Sequence, residues 1–196
     1  MCEHMSSIEL TSLKFILNET EFYERIRMER GTRRAKPIER ILDSAKEIPK
    51  PKALYCVSEA KIVNDSQFTL DGILFTSKIG VEKIADSKFV IPNIVTAGVE
   101  IEDYCFTRES VLEQYIVMEI CNFACQFAKD EMIRDIKKNY GIALKECIFP
   151  GEEGFLLESG KKIFDVFGDV ESKIGVSISE MGLPTPSRSA YSICFA

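Results

Sequence analysis

Histidine is almost absent from this sequence. The one residue, His4, sits beside the N-terminus of a 196-residue chain, where chain ends commonly fray. That removes histidine triads and His-rich metal sites from the body of the chain. The P-loop, the G-x-G-x-x-G turn and the H-E-x-x-H helix are missing as well. So is any C-x-x-C pair, although there are seven cysteines, at positions 2, 56, 105, 121, 125, 147 and 194. They are too scattered for a zinc site, and no metal ligands are assigned. The opening MCEHMSS lacks the apolar segment of a secretory signal. The cysteines are therefore expected to be reduced thiols in a cytoplasmic protein. Cys121 and Cys125 share a helix face and read as small core residues before a redox or metal pair.

Positive charge is also in short supply. Asp and Glu outnumber Lys and Arg by 31 to 25, for a net charge of −6. A nucleic-acid binder needs a basic surface to neutralise phosphates, so no nucleic-acid partner is expected. The one basic cluster, Arg25 to Arg34, reads as a solvated helix face or turn. No apolar run is long enough for a membrane helix, and the best stretch is interrupted by Glu119.

What remains is an ordinary globular composition, 45% apolar and 29% charged, expected to form a single domain over residues 1–196. IELTSLKFIL (8–17) alternates like a strand. Asn18 or Thr20 caps a short helix to about Met28. Residues 36–47 space Ile38, Ile41, Leu42 and Ala45 as an amphipathic helix. ALYCVSEAKIV (53–63) and QFTLDGILF (67–75) flank the turn triplet Asn64-Asp65-Ser66 as a hairpin. Residues 79–86 suit a short helix. KFVIPNIVTAG (88–98) reads as a buried strand, although Pro92 argues against a regular central strand throughout. Residues 109–139 predict the longest helix, apolar between Tyr115 and Ala128 except for a narrow stripe of Glu119, Asn122 and Gln126, and amphipathic from Lys129 onward. Such a cylinder is largely enclosed by its neighbours. IALKECIF (142–149), GVSISEM (175–181) and SAYSICFA (189–196) read as strands, and 158–171 as a helix. Strands and helices do not alternate as βαβ units. The fold class is α+β, with a mostly antiparallel or mixed sheet and one long covering helix.

Between IALKECIF and the next helix lies an acidic Pro-Gly turn, FPGEEG. A phosphate-cradling turn would want the opposite charge. Its glutamates read either as a solvated turn opening a helix, where the dipole favours them, or as groups facing a cationic ligand. Arg188, between two serines, reads either as a grip on phosphate or carboxylate or, more commonly, as a surface arginine before an edge strand. Glu119 reads as exposed before it reads as a paired buried acid, and Tyr191 as a packed core or edge tyrosine.

From Phe89 onward, four stretches in order resemble the activation domain of cobalamin-dependent methionine synthase. They are FVIPNIVTAGVEIED (89–103), the long helix ending KNYG (138–141), IFPGEEGFLLESGKKIFDVF (148–167) and IGVSISEMGLPTPSRSAYSI (174–193). PKALYCVSEAKIV, FTLDGILFTS and DVESKIGVSISE look like the small stand-alone branch found in anaerobes. The resemblance implies a curved, mostly antiparallel sheet with flanking helices, and S-adenosylmethionine (AdoMet) lying along it. It implies an accessory protein of corrinoid one-carbon metabolism, docking on a corrinoid-binding methyltransferase to support reductive reactivation or methylation. Cobalamin would come only through that partner. No side chain need act as acid or base, so no catalytic residue is assigned.

The family grips AdoMet with Arg-x-x-x-Gly-Tyr. Laid on the Pro-Gly pair, the Arg position is Cys147, the Gly is Gly151 and the Tyr is Glu152, with Phe149 between. An acidic contact falls on Glu9. The resemblance thus implies cofactor contacts at Glu9, Cys147, Phe149, Gly151 and Glu152, with the glycine kept and the Arg and Tyr replaced. Losing one partner of a buried Arg–carboxylate pair typically costs about 2–5 kcal/mol. The alternative is a non-catalytic scaffold or ligand-sensing module that kept the fold and lost AdoMet.

Overall fold

A computed structural model of the chain describes residues 7–152 and 154–196. His4, Cys2 and Glu153 lie outside the described residues.

The Val/Ile run of 88–98 forms β6 (Val90–Thr96), buried along its whole length. A strand covered on both faces has no use for alternation, which is why the run is continuous. β6 sits in the middle of a five-stranded antiparallel sheet in the order β1-β2-β6-β10-β7. The others are β1 (Ile8–Leu10), β2 (Lys52–Tyr55), β7 (Glu146–Ile148) and β10 (Ser189–Phe195). Pro92 is thus part of a central strand, against expectation. Its register partner on one side is Ile193, and on the other its carbonyl meets the Cys56 N–H just past the last β2 pair, Tyr55↔Asn93. N–H and C=O of one residue point the same way in an antiparallel strand, so the missing donor falls where the β2 ladder is ending.

The expected hairpin of two long strands is four short ones. The 53–63 run breaks after Tyr55: its first part joins the central sheet and its second becomes β3 (Ala60–Asn64). The 67–75 run folds on itself as β4 (Gln67–Leu70) and β5 (Ile73–Thr76), making a three-stranded meander. The fold-back is at Asp71-Gly72, where both residues have positive φ, 48° and 86°. Asp-Gly is a strong tight-hairpin signal because it supplies two left-handed residues. The first strand is also shorter than the alternation of 8–17 suggests.

Helix α1 (Glu19–Arg25) is capped by Asn18, whose side chain accepts from the Glu21 N–H. α2 (Lys36–Ala45) buries the four expected residues Ile38, Ile41, Leu42 and Ala45. α3 (Lys78–Ala85) and α4 (Val99–Phe106) flank β6 in sequence. α5 (Val111–Tyr140) is capped by Ser110 and closed by Gly141 at φ 67°. The helix expected at 158–171 is interrupted at Gly168, giving α6 (Ser159–Phe167) and α7 (Val170–Ile174). A small ribbon, β8 (Ser177–Ile178) with β9 (Pro184–Thr185), precedes β10. Among the described residues no helix is long and apolar enough to cross a membrane.

The central sheet has two unlike faces. On one, Leu54, Ile94, Tyr191, Ile193 and Phe195 join Phe155, Phe164 and Phe167, and the core continues into Phe68 and Phe75 of the meander. On the other, Ala53, Tyr55, Ile91, Val95 and Cys194 pack on Ala128, Met132 and Ile136 of α5. A further cluster ties α1, α2 and α4 to the N-terminal half of α5.

A further sequence expectation fails, that of free thiols throughout. Cys147 and Cys194 form a disulfide rather than staying as thiols. They are register partners on β7 and β10, so their Cβ atoms leave the sheet on the same side. A separation of 47 residues hid that adjacency. Cys56, Cys105, Cys121 and Cys125 are free.

Candidate functional site

The α5 side of the sheet does not close completely. β10 alternates small and large residues: Ala190, Ser192 and Cys194 face α5, while Tyr191, Ile193 and Phe195 face the aromatic core. Small residues opposite a long helix leave space, here a cleft of about 440 Å³. That is within the usual range for a small-molecule site. Its floor is Asn93 and Val95 of β6 with Ala190 and Ser192 of β10, its wall is α5 from Asn122 to Lys129, and its rim carries Glu21, Arg25, Phe149 and Arg188.

The floor is polar but satisfied. Asn93 is buried, and its Nδ2 donates to the carbonyls of Ile91 and Ser192, each at 3.2 Å. Its Oδ1 accepts from the Ser192 hydroxyl at 3.0 Å. The wall is the polar stripe of α5. Glu119 is paired with Arg25 at 2.7 Å with its side chain only 15% exposed, and it accepts from Asn122. It is therefore the paired acid rather than an exposed one. Asn122 and Gln126 line the cleft itself.

Arg188 is the least expected member. β10 is paired by β6 along its whole length but by β7 only at Ile193–Phe195, so Arg188 precedes a strand end that is open on one side, with its own side chain half-buried. Its backbone is fixed from both sides. The Arg188 carbonyl accepts from the Ala97 N–H at 3.0 Å. The Ser187 N–H and hydroxyl both donate to the buried carboxylate of Glu102, and the Ser189 hydroxyl donates to Thr96 at 2.8 Å. The side chain has no such support. Among the described residues its buried Nε has no hydrogen-bond partner. Lys129 also meets no carboxylate among the described residues, and its ammonium sits 5.2 Å from the centre of the Phe149 ring.

The thiols near the cleft are not nucleophiles. Burial pushes Cys125 up to about 11, although Lys129 and Arg188 pull the other way, and burial holds Cys121 at about 12. A thiolate is the reactive form, so both stay inert near neutrality. Among the described residues no group of three or more His, Cys, Asp or Glu side chains could hold a metal ion.

The residues singled out in the sequence are not all together. Phe149 lines the cleft. Cys147 lies on the same face of β7, but its sulfur is bonded to Cys194. Gly151 and Glu152 are exposed in the turn beyond, and their bonds stay within it. The Glu152 carboxylate accepts the Phe149 N–H at 3.1 Å, the Gly151 N–H donates to the Phe155 carbonyl at 2.8 Å, and Gly151 supplies φ 98°. Phe155 anchors the turn in the aromatic core, 6.5 Å from the Phe75 ring. The acidic Pro-Gly loop is thus a self-closed turn. Glu9 is exposed on β1, at the opposite edge of the sheet. Four strand spacings separate it from β7, roughly 19 Å. Its register partner Leu54 faces the aromatic core, so Glu9 is also on the other face. Sequence reasoning missed Asn93, Ser192 and Lys129. The signal that could have found the floor was the alternation of small and large residues in SAYSICF.

No protein-family model matches the chain, and no curated protein does. A solved structure does: the MetH reactivation domain bound to AdoHcy superposes with a TM-score of 0.64. Identity is 12%, over 97% of this chain and 78% of that one. The two share a fold. An α+β architecture with antiparallel sheets and flanking helices, like that of the methionine synthase activation domain, is what the likeness establishes.

Proposed function

We propose that this protein is an accessory binding module of corrinoid one-carbon metabolism. In this reading it holds an S-adenosyl compound in the cleft beside α5 and docks on a corrinoid-binding methyltransferase, supporting reductive reactivation or methylation of the partner's cobalamin. The observation that carries the reading is the fold shared with a reactivation domain solved with AdoHcy. The module's contribution is placement. It fixes a small molecule against a rigid sheet and helix and excludes competing geometries. Docking has a surface available: Val111, Leu112, Tyr115 and Met118 are exposed apolar residues within the first two to three turns of α5, and Phe106, at the end of α4, is 76% exposed. Apolar groups gathered on one face mark an interaction site more often than scattered ones.

A second reading has its own support. Cys147, at the family's arginine position, is held in a disulfide, and Glu152, at the tyrosine position, closes its own turn. Both favour a scaffold or sensor that kept the fold without AdoMet. Thermal shift and calorimetry with AdoMet and AdoHcy, alongside a pull-down of the corrinoid protein, separate the two. Binding at micromolar levels together with capture of the partner supports the first. Capture without any shift at millimolar ligand supports the scaffold. Failure of both removes the corrinoid assignment.

A further inference from the structure

The charge of the cleft differs from that of the chain. The protein carries −6 overall, yet among the described residues the charged ones lining the cleft are Glu21, Arg25, Lys129 and Arg188. Arg25 is answered by Glu119. Even with Glu119 counted, cations exceed acids at the cleft by three to two. Lys129 and Arg188 approach from different elements, α5 and the segment before β10, and meet the cleft with no carboxylate within ion-pair distance among the described residues.

We propose that Arg188 and Lys129 form an anion subsite, which takes the phosphate or carboxylate group of the small molecule bound in the cleft. Three features support it. The backbone that carries Arg188 is fixed: Ser187 is tied to Glu102, Ser189 to Thr96, and the Arg188 carbonyl to Ala97. Its guanidinium nonetheless leaves a buried N–H unpaired. Buried donors without partners are costly, and they are retained where a ligand completes them. The second cation, Lys129, is carried by the long helix and lines the same cleft, its ammonium 5.2 Å from the centre of the Phe149 ring.

The inference rests on the reading of the cleft as a ligand site, and not on the corrinoid partner. It also ranks ligands. AdoMet carries a sulfonium and an ammonium against one carboxylate, so a cationic cleft disfavours it relative to a ligand of net negative charge. The guanidinium that would grip an anion here stands at the start of β10, and not at Cys147.

Calorimetry with AMP, adenosine, inorganic phosphate, citrate and AdoMet tests the proposal on the full chain. AMP should bind at least about tenfold more tightly than adenosine, and more tightly than AdoMet. The preference should shrink as salt rises. Arg188→Gln and Lys129→Gln should each weaken AMP by about tenfold or more, with Arg188→Lys intermediate. Arg188→Met should raise the unliganded Tm while abolishing the preference for AMP, a split that a purely structural arginine would not give. Equal affinity for AMP and adenosine, unchanged AMP binding in Arg188→Gln, or no response to any of the anions at millimolar concentration would overturn it. If AMP binds and the corrinoid protein is not captured, the subsite stands and the corrinoid assignment falls. If the corrinoid protein is captured and no anion binds, the reverse holds.

Discussion

The two faces of the central sheet are built from the same strands and solve different problems. On the α6 side, Tyr191, Ile193 and Phe195 of β10 pack with Phe155, Phe164 and Phe167 in one buried cluster. On the α5 side, Ala190, Ser192 and Cys194 of the same strand meet a helix whose facing residues include Ala128 and Asn122, and a cleft remains. Strand alternation puts the two sets on opposite faces automatically. One seven-residue strand therefore carries a packed core on one side and the cleft, the proposed binding face, on the other. Tight packing is felt at the level of single methylenes, so the closed face should be the less tolerant of the two.

Substitutions on β10 give the largest contrast. Phe195→Ala should destabilise by about 3–5 kcal/mol in urea unfolding, by loss of buried area and creation of a cavity. Ala190→Ser, on the cleft face of the same strand, should cost well under that. Comparable losses would mean that the two faces are equally packed.

Reduction of the Cys147–Cys194 bond comes next. The bond closes a loop of 47 residues on the cleft face, and such cross-links typically contribute about 2–4 kcal/mol. Unfolding with and without dithiothreitol measures it, and non-reducing peptide mapping should recover the linked pair. Two free thiols in oxidised protein would restore the all-thiol expectation.

Asn93→Ala tests the floor. It removes the acceptor of the Ser192 hydroxyl and the donor to two strand carbonyls. A loss of about 1–3 kcal/mol is expected in the same urea assay. No loss would show that the floor is open to water.

The smallest effect is one of pH. Burial raises Cys56 and Cys125 to about 11 and Cys121 to about 12, from an ordinary value of 9.0. The unfolded chain ionises first as pH rises. This contribution to stability is therefore complete below about pH 9 and is lost progressively as pH climbs toward 11–12. Urea midpoints should fall across that window. Replacing Cys121 by Ala should flatten the fall, and an unchanged slope would show that the thiols do not contribute to it.

Much of this architecture was legible in the sequence. Asn18 sits before α1 as its cap, Gly141 ends α5, and the apolar spacing of α2 and the run of β6 encode their burial directly. Those signals are local. The errors were of two kinds. The Asp71-Gly72 turn and the break at Gly168 were local signals that a longer apolar pattern masked. The Cys147–Cys194 pairing, the role of Arg188 and the cleft itself depend on which strands become neighbours, and no local spacing states that. The acidic Pro-Gly turn drew attention because its composition is unusual. Glu152 is spent on closing the turn, while the cleft is assembled from Asn93, Ser192, Lys129 and Arg188, residues unremarkable in isolation.

The account turns on the open face being the binding face. Amide hydrogen exchange with and without AMP tests this most directly. Added protection at residues 122–129 and 187–192, with the α6 side unchanged, is the expected result. Protection confined to the 149–155 turn or to the aromatic face would contradict it.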